Sequence, residues 1–195
     1  MSARMSQRQI KKHVIFEVIH TVAFSLLIGV VVMSGIFAAV LFPTMKRMDP
    51  LLPEFSTYTG EHWRVAAGRI ASLVFLISSW IQGSLFACSL AALFLAPLAA
   101  RVSRMRLATV AVTAMLLLVV IGVIFLPLQQ MLHVYWDFAK QGDMERAATT
   151  QIRFDALHKF ATPSMLALIA GAGACIFLSM QSLCQLASQV QQDPK

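Results

Sequence analysis

The most constraining feature of this sequence is a series of four long stretches that contain no Asp, Glu, Lys or Arg. They cover residues 18–45, 70–100, 107–136 and 160–192. Each is longer than the roughly 18 residues that indicate a membrane-spanning helix. Only helices and closed barrels satisfy backbone hydrogen bonds in hydrocarbon, and these stretches are too long and continuous for barrel strands. The sequence therefore predicts an all-α fold, a transmembrane bundle of four helices.

The composition agrees with a lipid environment. Hydrophobic residues make up 58% of the 195 residues and charged residues only 13%, against about 25% charged in soluble domains. The formal net charge is +7, but the basic residues flank the apolar stretches, where they face lipid headgroups. No nucleic-acid recognition motif accompanies them, so we expect the bilayer, and not nucleic acid, as the partner. The whole chain, residues 1–195, is predicted to form a single integral membrane domain.

Prolines and charges indicate the limits of the spans. We place the hydrocarbon-crossing parts near residues 19–41, 72–96, 107–128 and 162–184, with outer loops at 43–69 and 129–159. Pro43, Pro97 and Pro127 are expected near the ends of the first three spans, and Pro163 at the entry to the fourth. Residues 143–158 have apolar residues at helical spacing, which predicts an amphipathic helical segment in the outer loop before the last span.

Orientation follows from the basic residues close to the spans. Arg4 to Lys12 and Arg101 to Arg106 form compact clusters, whereas the other basic residues are spread along the two longer loops. The positive-inside rule therefore favours an N-in/C-in arrangement. The uncharged stretch that follows the first cluster is too long for a signal peptide, whose apolar region has about 7–15 residues. We interpret it as an uncleaved first span.

Glu17 and His20 are the main intramembrane polar candidates, because ionisable residues at membrane depth are functional candidates by default. Spacings of four and three place His13, Glu17 and His20 on one face of a helix. They would suit a proton or cation relay or a substrate contact. The alternative is that Glu17 pairs with Lys12 or His13 at the interface while His20 hydrogen-bonds a neighbouring helix. A third polar candidate, which belongs to the second span, is Gln82.

A second set of candidates belongs to the predicted outer face. It consists of His62, His133, His158 and Asp155. Imidazole and carboxylate groups suit zinc or copper, but their spacing matches no metal motif, and we predict no metal site. His20 and His158 lie near opposite faces of the predicted bundle, so they cannot share one haem iron. The sequence predicts no cofactor, and a haem-binding redox anchor is the least favoured alternative.

Small residues within the spans predict close helix packing. The helix-packing candidates are Gly29, Gly35, Ser79, Gly83, Gly171 and Gly173. Such residues let helix backbones approach one another, either within the bundle or across an interface with a second copy or another membrane protein. The three cysteines lie in apolar stretches and offer no disulfide framework.

Catalytic templates such as a nucleophile elbow, a metalloprotease HExxH or a phosphate-binding loop are absent from the sequence. We therefore predict no catalytic residues and no enzymatic activity. The favoured function is packing with membrane partners or handling of a small solute or ion. The alternative is a proton-coupled small-solute transporter that uses Glu17 and His20.

Three segments also carry a family resemblance. Residues 20–29, the sequence Ala39-Val-Leu-Phe-Pro43 and the sequence Phe154-Asp-Ala-Leu-His158-Lys-Phe resemble bacterial proteins with the domain of unknown function 4149, related to the transmembrane-protein-205-like family. The resemblance implies a four-span protein of the bacterial inner membrane without an assigned reaction. Eukaryotic relatives are linked to tolerance of toxic metal compounds, which implies membrane handling of a solute.

The chain departs from that family pattern at two positions. Ile28 stands where relatives often have a tryptophan or a second glycine nearby, and Met165 where an asparagine is common. His20 and His158 are the positions to which the resemblance assigns a role.

Overall fold

A computed structural model describes residues 7–95 and 104–191, and the described residues form helices and no strand. The helices are α1 (Gln7–Met48), α2 (His62–Leu95), α3 (Arg104–Val119), α4 (Leu126–Gln141), α5 (Met144–His158) and α6 (Ala161–Gln191), with a short 3-10 turn at Pro53–Phe55. The all-α prediction is confirmed. The predictions about Arg4, Pro97 and Arg101, and the last residue of the predicted span 72–96, fall outside the described residues.

Four helical stretches are long and apolar enough to cross a membrane, as predicted. They are Gln7–Met48, His62–Leu95, Arg104–Gln141 and Met144–Ser188. Large apolar side chains on them are turned outward, among them Met33, Val112 and Leu118, each more than 60% exposed. Burying such side chains in lipid removes their apolar surface from water, at about 25 cal/mol per Å². The exposed surface is thus the one that a bilayer would cover.

Two prolines do not end their helices where the sequence predicts. Pro43 lies inside α1, which continues to Met48. Pro127 is followed by another 14 helical residues, to the end of α4 at Gln141. Pro127 has no N–H to donate, and its ring crowds the preceding turn. The chain accommodates it with a wider π-helical turn at Val120–Phe125, in which the Leu126 N–H bonds the Ile121 carbonyl.

The predicted loop 129–159 is mostly helical. A connection of two residues joins α4 to α5: Gly142 adopts a left-handed conformation with φ of 76°, and Asp143 caps α5 by accepting from the Arg146 N–H at 3.1 Å. The Gly142 and Asp143 N–H groups bond the carbonyls of Ala139 and Phe138, which closes α4. The apolar face predicted for the amphipathic segment is exposed at Ile152, and the buried side chain of α5 is Ala147 instead.

The described helices divide into two compact units. The second unit comprises Val31–Trp80 and Leu116–Ala167. Its largest buried cluster has an aromatic core, formed by Phe55, Tyr58, Val65, Tyr135, Trp136, Ala139 and Ala147. The hydroxyls of Tyr58 and Tyr135 are 2.6 Å apart. The loop between α1 and α2 is thereby attached to α4 and α5 by packed rings and a buried hydrogen bond. Elsewhere in this unit, Ser34 Oγ of α1 donates to Ser78 Oγ of α2 at 3.0 Å.

The first unit comprises Met1–Val30, Ile81–Met115 and Leu168–Lys195. Its buried residues come from α1, α2, α3 and α6, and they include Phe24, Phe86, Val110 and Leu168. The rings of Phe24 and Phe86 meet edge to face with centroids 5.8 Å apart, a favoured aromatic geometry. Several buried side chains of this unit are polar, and they form the candidate site described below.

Two glycines on α6 offer a matched test of packing in the first unit. A Cβ added at Gly171 would lie 2.8 Å from Thr113 Oγ1, whereas a Cβ at Gly173 would meet no described atom within 4 Å. We expect Gly171→Ala to destabilise the protein by about 1–3 kcal/mol, as overpacking does. Gly173→Ala should be neutral or slightly stabilising, because alanine favours helices. Thermal unfolding of the two purified variants in detergent checks this, and equal stability would contradict the packing of α3 on α6.

Candidate functional site

A buried ion pair lies within the first unit. Both Nη atoms of Arg106, at the start of α3, bond the Glu17 carboxylate of α1, with the Nη2–Oε2 distance at 2.8 Å. The two side chains are only 6% and 1% exposed. This bidentate arrangement matches the planar fork of a guanidinium to the two carboxylate oxygens. Opposite unit charges are therefore held together away from solvent, between two apolar helices.

Hydroxyl and imidazole groups complete the surroundings of this pair. Arg106 Nη2 also donates to Ser179 Oγ on α6 at 3.2 Å. His13 Nε2, one turn before Glu17, lies 3.5 Å from Glu17 Oε1 and 3.4 Å from Ser182 Oγ. We call His13, Glu17, Arg106, Ser179 and Ser182 the charged cluster. It joins α1, α3 and α6 through polar contacts.

His20 lies beside the charged cluster and is fully buried. Its Nδ1 is 2.8 Å from Ser89 Oγ and 3.1 Å from the Ser89 carbonyl oxygen, both on α2. Its ring packs edge to face on Phe24 with centroids 4.9 Å apart. Nε2 makes no hydrogen bond to any described residue. His20 therefore bonds a neighbouring helix, as the structural alternative for this residue expects.

Glu17 and His20 are candidates from the sequence alone, but their most important neighbour is not. In the sequence, Arg106 belongs to the basic cluster that sets orientation, and the predicted partner of Glu17 is Lys12 or His13. The structure pairs Glu17 with Arg106, with His13 as a weaker second contact. A signal was present: Glu17 and Arg106 each stand immediately before an uncharged stretch, at residues 18 and 107. In a bundle whose spans alternate in direction, the first and third spans are predicted to run in the same direction, so these two positions are predicted to lie at the same end.

The remaining intramembrane candidates occupy different environments. Gln82 is buried in the first unit at 3% exposure. Gly171 faces Thr113, whereas a Cβ at Gly29, Gly35, Gly83 or Gly173 would meet no described atom within 4 Å. Ser79 Oγ donates to the Phe75 carbonyl of its own helix at 2.9 Å. In the described part of the chain, Gly171 alone of the five candidate glycines lies against another helix.

The outer-face candidates do not gather around one point. His62 is held by the Leu52 N–H at Nδ1, 3.1 Å away, and by the Tyr58 carbonyl at Nε2, 3.0 Å away. His133 packs on Trp136, and His158 packs on Phe154. Asp155 is an exposed residue of α5. Within residues 7–95 and 104–191, no three His, Cys, Asp or Glu side chains come together as metal ligands would.

The second unit contains one open cleft of about 230 Å³ near these residues. The lining includes Tyr58, Gly60, Tyr135, Met144 and Ala147, with the ion pair of Glu61 and Arg64 at its edge. A Cβ at Gly60 would lie 2.3 Å from the Tyr58 ring, so a side chain there would displace the ring that forms the wall. The cleft is mostly apolar. The charged residues in its lining, Glu61 and Arg64, are half exposed and pair with each other.

Comparison with models of protein families, with curated proteins and with solved structures finds no match to this chain.

Because Glu17 and Arg106 are buried together, removing only one of the two charges should lower the free energy of unfolding. Arg106→Gln leaves the Glu17 carboxylate buried without its cation, which should cost about 3–5 kcal/mol. Adding Glu17→Gln removes the second charge and should restore much of that loss. The matched control is Arg64→Gln, which breaks a half-exposed ion pair with Glu61 and should cost less than about 1 kcal/mol. Chemical unfolding in detergent measures all three variants. A loss for Arg106→Gln no larger than for Arg64→Gln would disprove the burial of this pair.

Proposed function

We propose that this protein is a non-enzymatic multi-pass protein of the bacterial inner membrane, with both termini in the cytoplasm, that handles a small ion or solute coupled to protons. The observation that carries the proposal is the buried pair of Glu17 and Arg106. A buried ion pair is weak evidence for stability, because apolar side chains of similar volume often serve as well or better. Charges retained on apolar helices therefore point to a function that needs a charge.

The surroundings of the pair support coupling to protons. Glu17 has an imidazole on each side along α1: His13 touches its carboxylate, and His20 lies one turn further into the uncharged stretch. Histidine is the side chain whose ordinary pKa allows it to gain and lose protons near neutral pH. Carboxylate and imidazole groups in succession are the usual parts of a proton relay in membrane proteins.

Reconstituted vesicles test this function. The purified chain is placed in liposomes that contain a pH-sensitive dye, and a pH gradient is imposed in potassium chloride, potassium phosphate or potassium lactate. We expect at least one of these salts to give proton movement several times faster than in empty liposomes. Glu17→Gln should abolish the increase, because an amide cannot take up the proton. Glu145→Gln, the same change at an exposed residue of α5, should retain it.

Two results would count against the proposal. Rates equal to those of empty liposomes in all three salts would reject proton-coupled transport. Equal rates for the unaltered chain and for Glu17→Gln would remove the charged cluster from the pathway.

A second candidate function is assembly with another membrane protein or with a second copy. The observations in its favour are that Trp80 of α2 is 73% exposed and that Gly29, Gly35 and Gly83 each have open space where a side chain would stand. Such positions permit close approach of a partner helix. Gly83→Leu should weaken any oligomer that this surface forms, and molar mass from light scattering in mild detergent measures it. A mass equal to that of one chain before substitution would reject self-assembly.

A further inference from the structure

The charged cluster also indicates which class of solute it binds, an inference that rests on the proposed function. We propose that Arg106, His13, Ser179 and Ser182 form a binding site for a small carboxylate anion, and that Glu17 occupies this site until it is protonated. In the structure the carboxylate of Glu17 itself takes the position of the anion.

The donors around Glu17 fit a carboxylate in number and shape. Arg106 presents two parallel N–H groups to the two oxygens. His13 lies 3.5 Å from one of these oxygens. Ser179 Oγ accepts from Arg106 at 3.2 Å, and Ser182 Oγ contacts His13 at 3.4 Å, so the two hydroxyls hold both donors in place. A planar guanidinium selects anions that accept two parallel hydrogen bonds, which a spherical chloride cannot do.

The charge balance links this binding to one proton. With Glu17 ionised, the pair with Arg106 is neutral, and an incoming anion would leave a net negative charge in a buried site. When a proton binds the Glu17 carboxylate, its bond to Arg106 weakens, and the guanidinium can pair with the carboxylate of the solute. One proton and one monoanion enter together, so the net charge of the site does not change. Dianions would not satisfy this balance.

The titratable groups that face Glu17 are His13 and His20 of α1 and Arg106 of α3. Cys175 of α6 interacts with Arg106. Ser89 of α2 and the serines of α6 add hydroxyls that carry no charge. Uptake of a proton by the Glu17 carboxylate is the step that releases Arg106 for the carboxylate of the solute. Binding of a carboxylate should therefore strengthen as the pH falls.

Glu17→Gln imitates the protonated carboxyl group and tests the site directly. Formate is the probe, because it is no larger than the group it replaces, and equal concentrations of chloride control for ionic strength. At about pH 7.5 we expect formate to bind Glu17→Gln at least about tenfold more tightly than it binds the unaltered chain. The measurement is the rise in unfolding temperature of the full-length protein in detergent, which follows ligand affinity by mass action. Glu145→Gln should behave as the unaltered chain does.

The unaltered chain supplies a second measurement that does not depend on how well the variant folds. Stabilisation by formate over chloride should appear as the pH is lowered from about 7.5 to about 4.5, where carboxyl groups begin to take up protons. In the Glu17→Gln variant, formate binding should be lost when Arg106→Gln is added, because the guanidinium that pairs with formate is then absent.

Three results would overturn the inference. They are no formate effect in a folded Glu17→Gln variant, no formate effect in the unaltered chain down to about pH 4.5, and retained binding without Arg106. Proton movement in vesicles with chloride but no formate binding would reject the carboxylate while leaving the proposed function intact. Formate binding without proton movement in any salt would reject the proposed function while leaving the carboxylate site intact.

Discussion

The bond between Arg106 and Glu17 is the interaction on which the arrangement of the first unit depends. It brings the start of α3 against α1 and, through Ser179, against α6. Removing two charges from water costs several kcal/mol per ion even after relaxation, and their attraction compensates only where the geometry is good and the other polar atoms are satisfied. Here the pair is bidentate, Ser179 Oγ accepts a further hydrogen bond from Arg106, and His13 Nε2 lies 3.5 Å from the Glu17 carboxylate. The residues of the charged cluster are therefore mutually dependent, because removal of one leaves another buried without its polar partner.

The second unit is stabilised by aromatic packing, and its charged groups remain at the surface. Its core contains Phe55, Tyr58 and Tyr135 around a hydroxyl pair, and ion pairs such as that of Glu61 and Arg64 stay half exposed at its surface. Charges left in contact with water cost little and contribute little. The aromatic packing instead ties the loop after α1 to the hairpin of α4 and α5. The two units thus differ in what their polar groups do: those of the second unit support packing, whereas those of the first hold a buried ion pair.

The sequence predicts the all-α class and the four stretches of membrane-spanning length well, because the absence of charge over long stretches is a strong and local signal. It predicts their limits poorly at Pro43 and Pro127. A proline removes one backbone hydrogen bond, but the rest of a long helix can continue around it, as the π-helical turn before Leu126 demonstrates. Glu17 and His20 were found because a polar residue beside an apolar stretch is unusual. Arg106 was missed because a basic residue at the end of a span has an ordinary role in orientation, and only the fold distinguishes that role from a buried pair.

The connections of the charged cluster also bear on how binding of a solute would affect the protein. Glu17 is the polar link from α1 to Arg106 on α3, and His13 is the polar link from α1 to Ser182 on α6. A solute that took the place of Glu17 would keep Arg106 satisfied but would remove the link between α1 and α3. Since packed helices shift between discrete arrangements more readily than they deform, exchange of one carboxylate for another would free α1 to move without exposing a buried charge. The contact that holds α1 against α3 would in this way also be the contact that a bound solute exchanges.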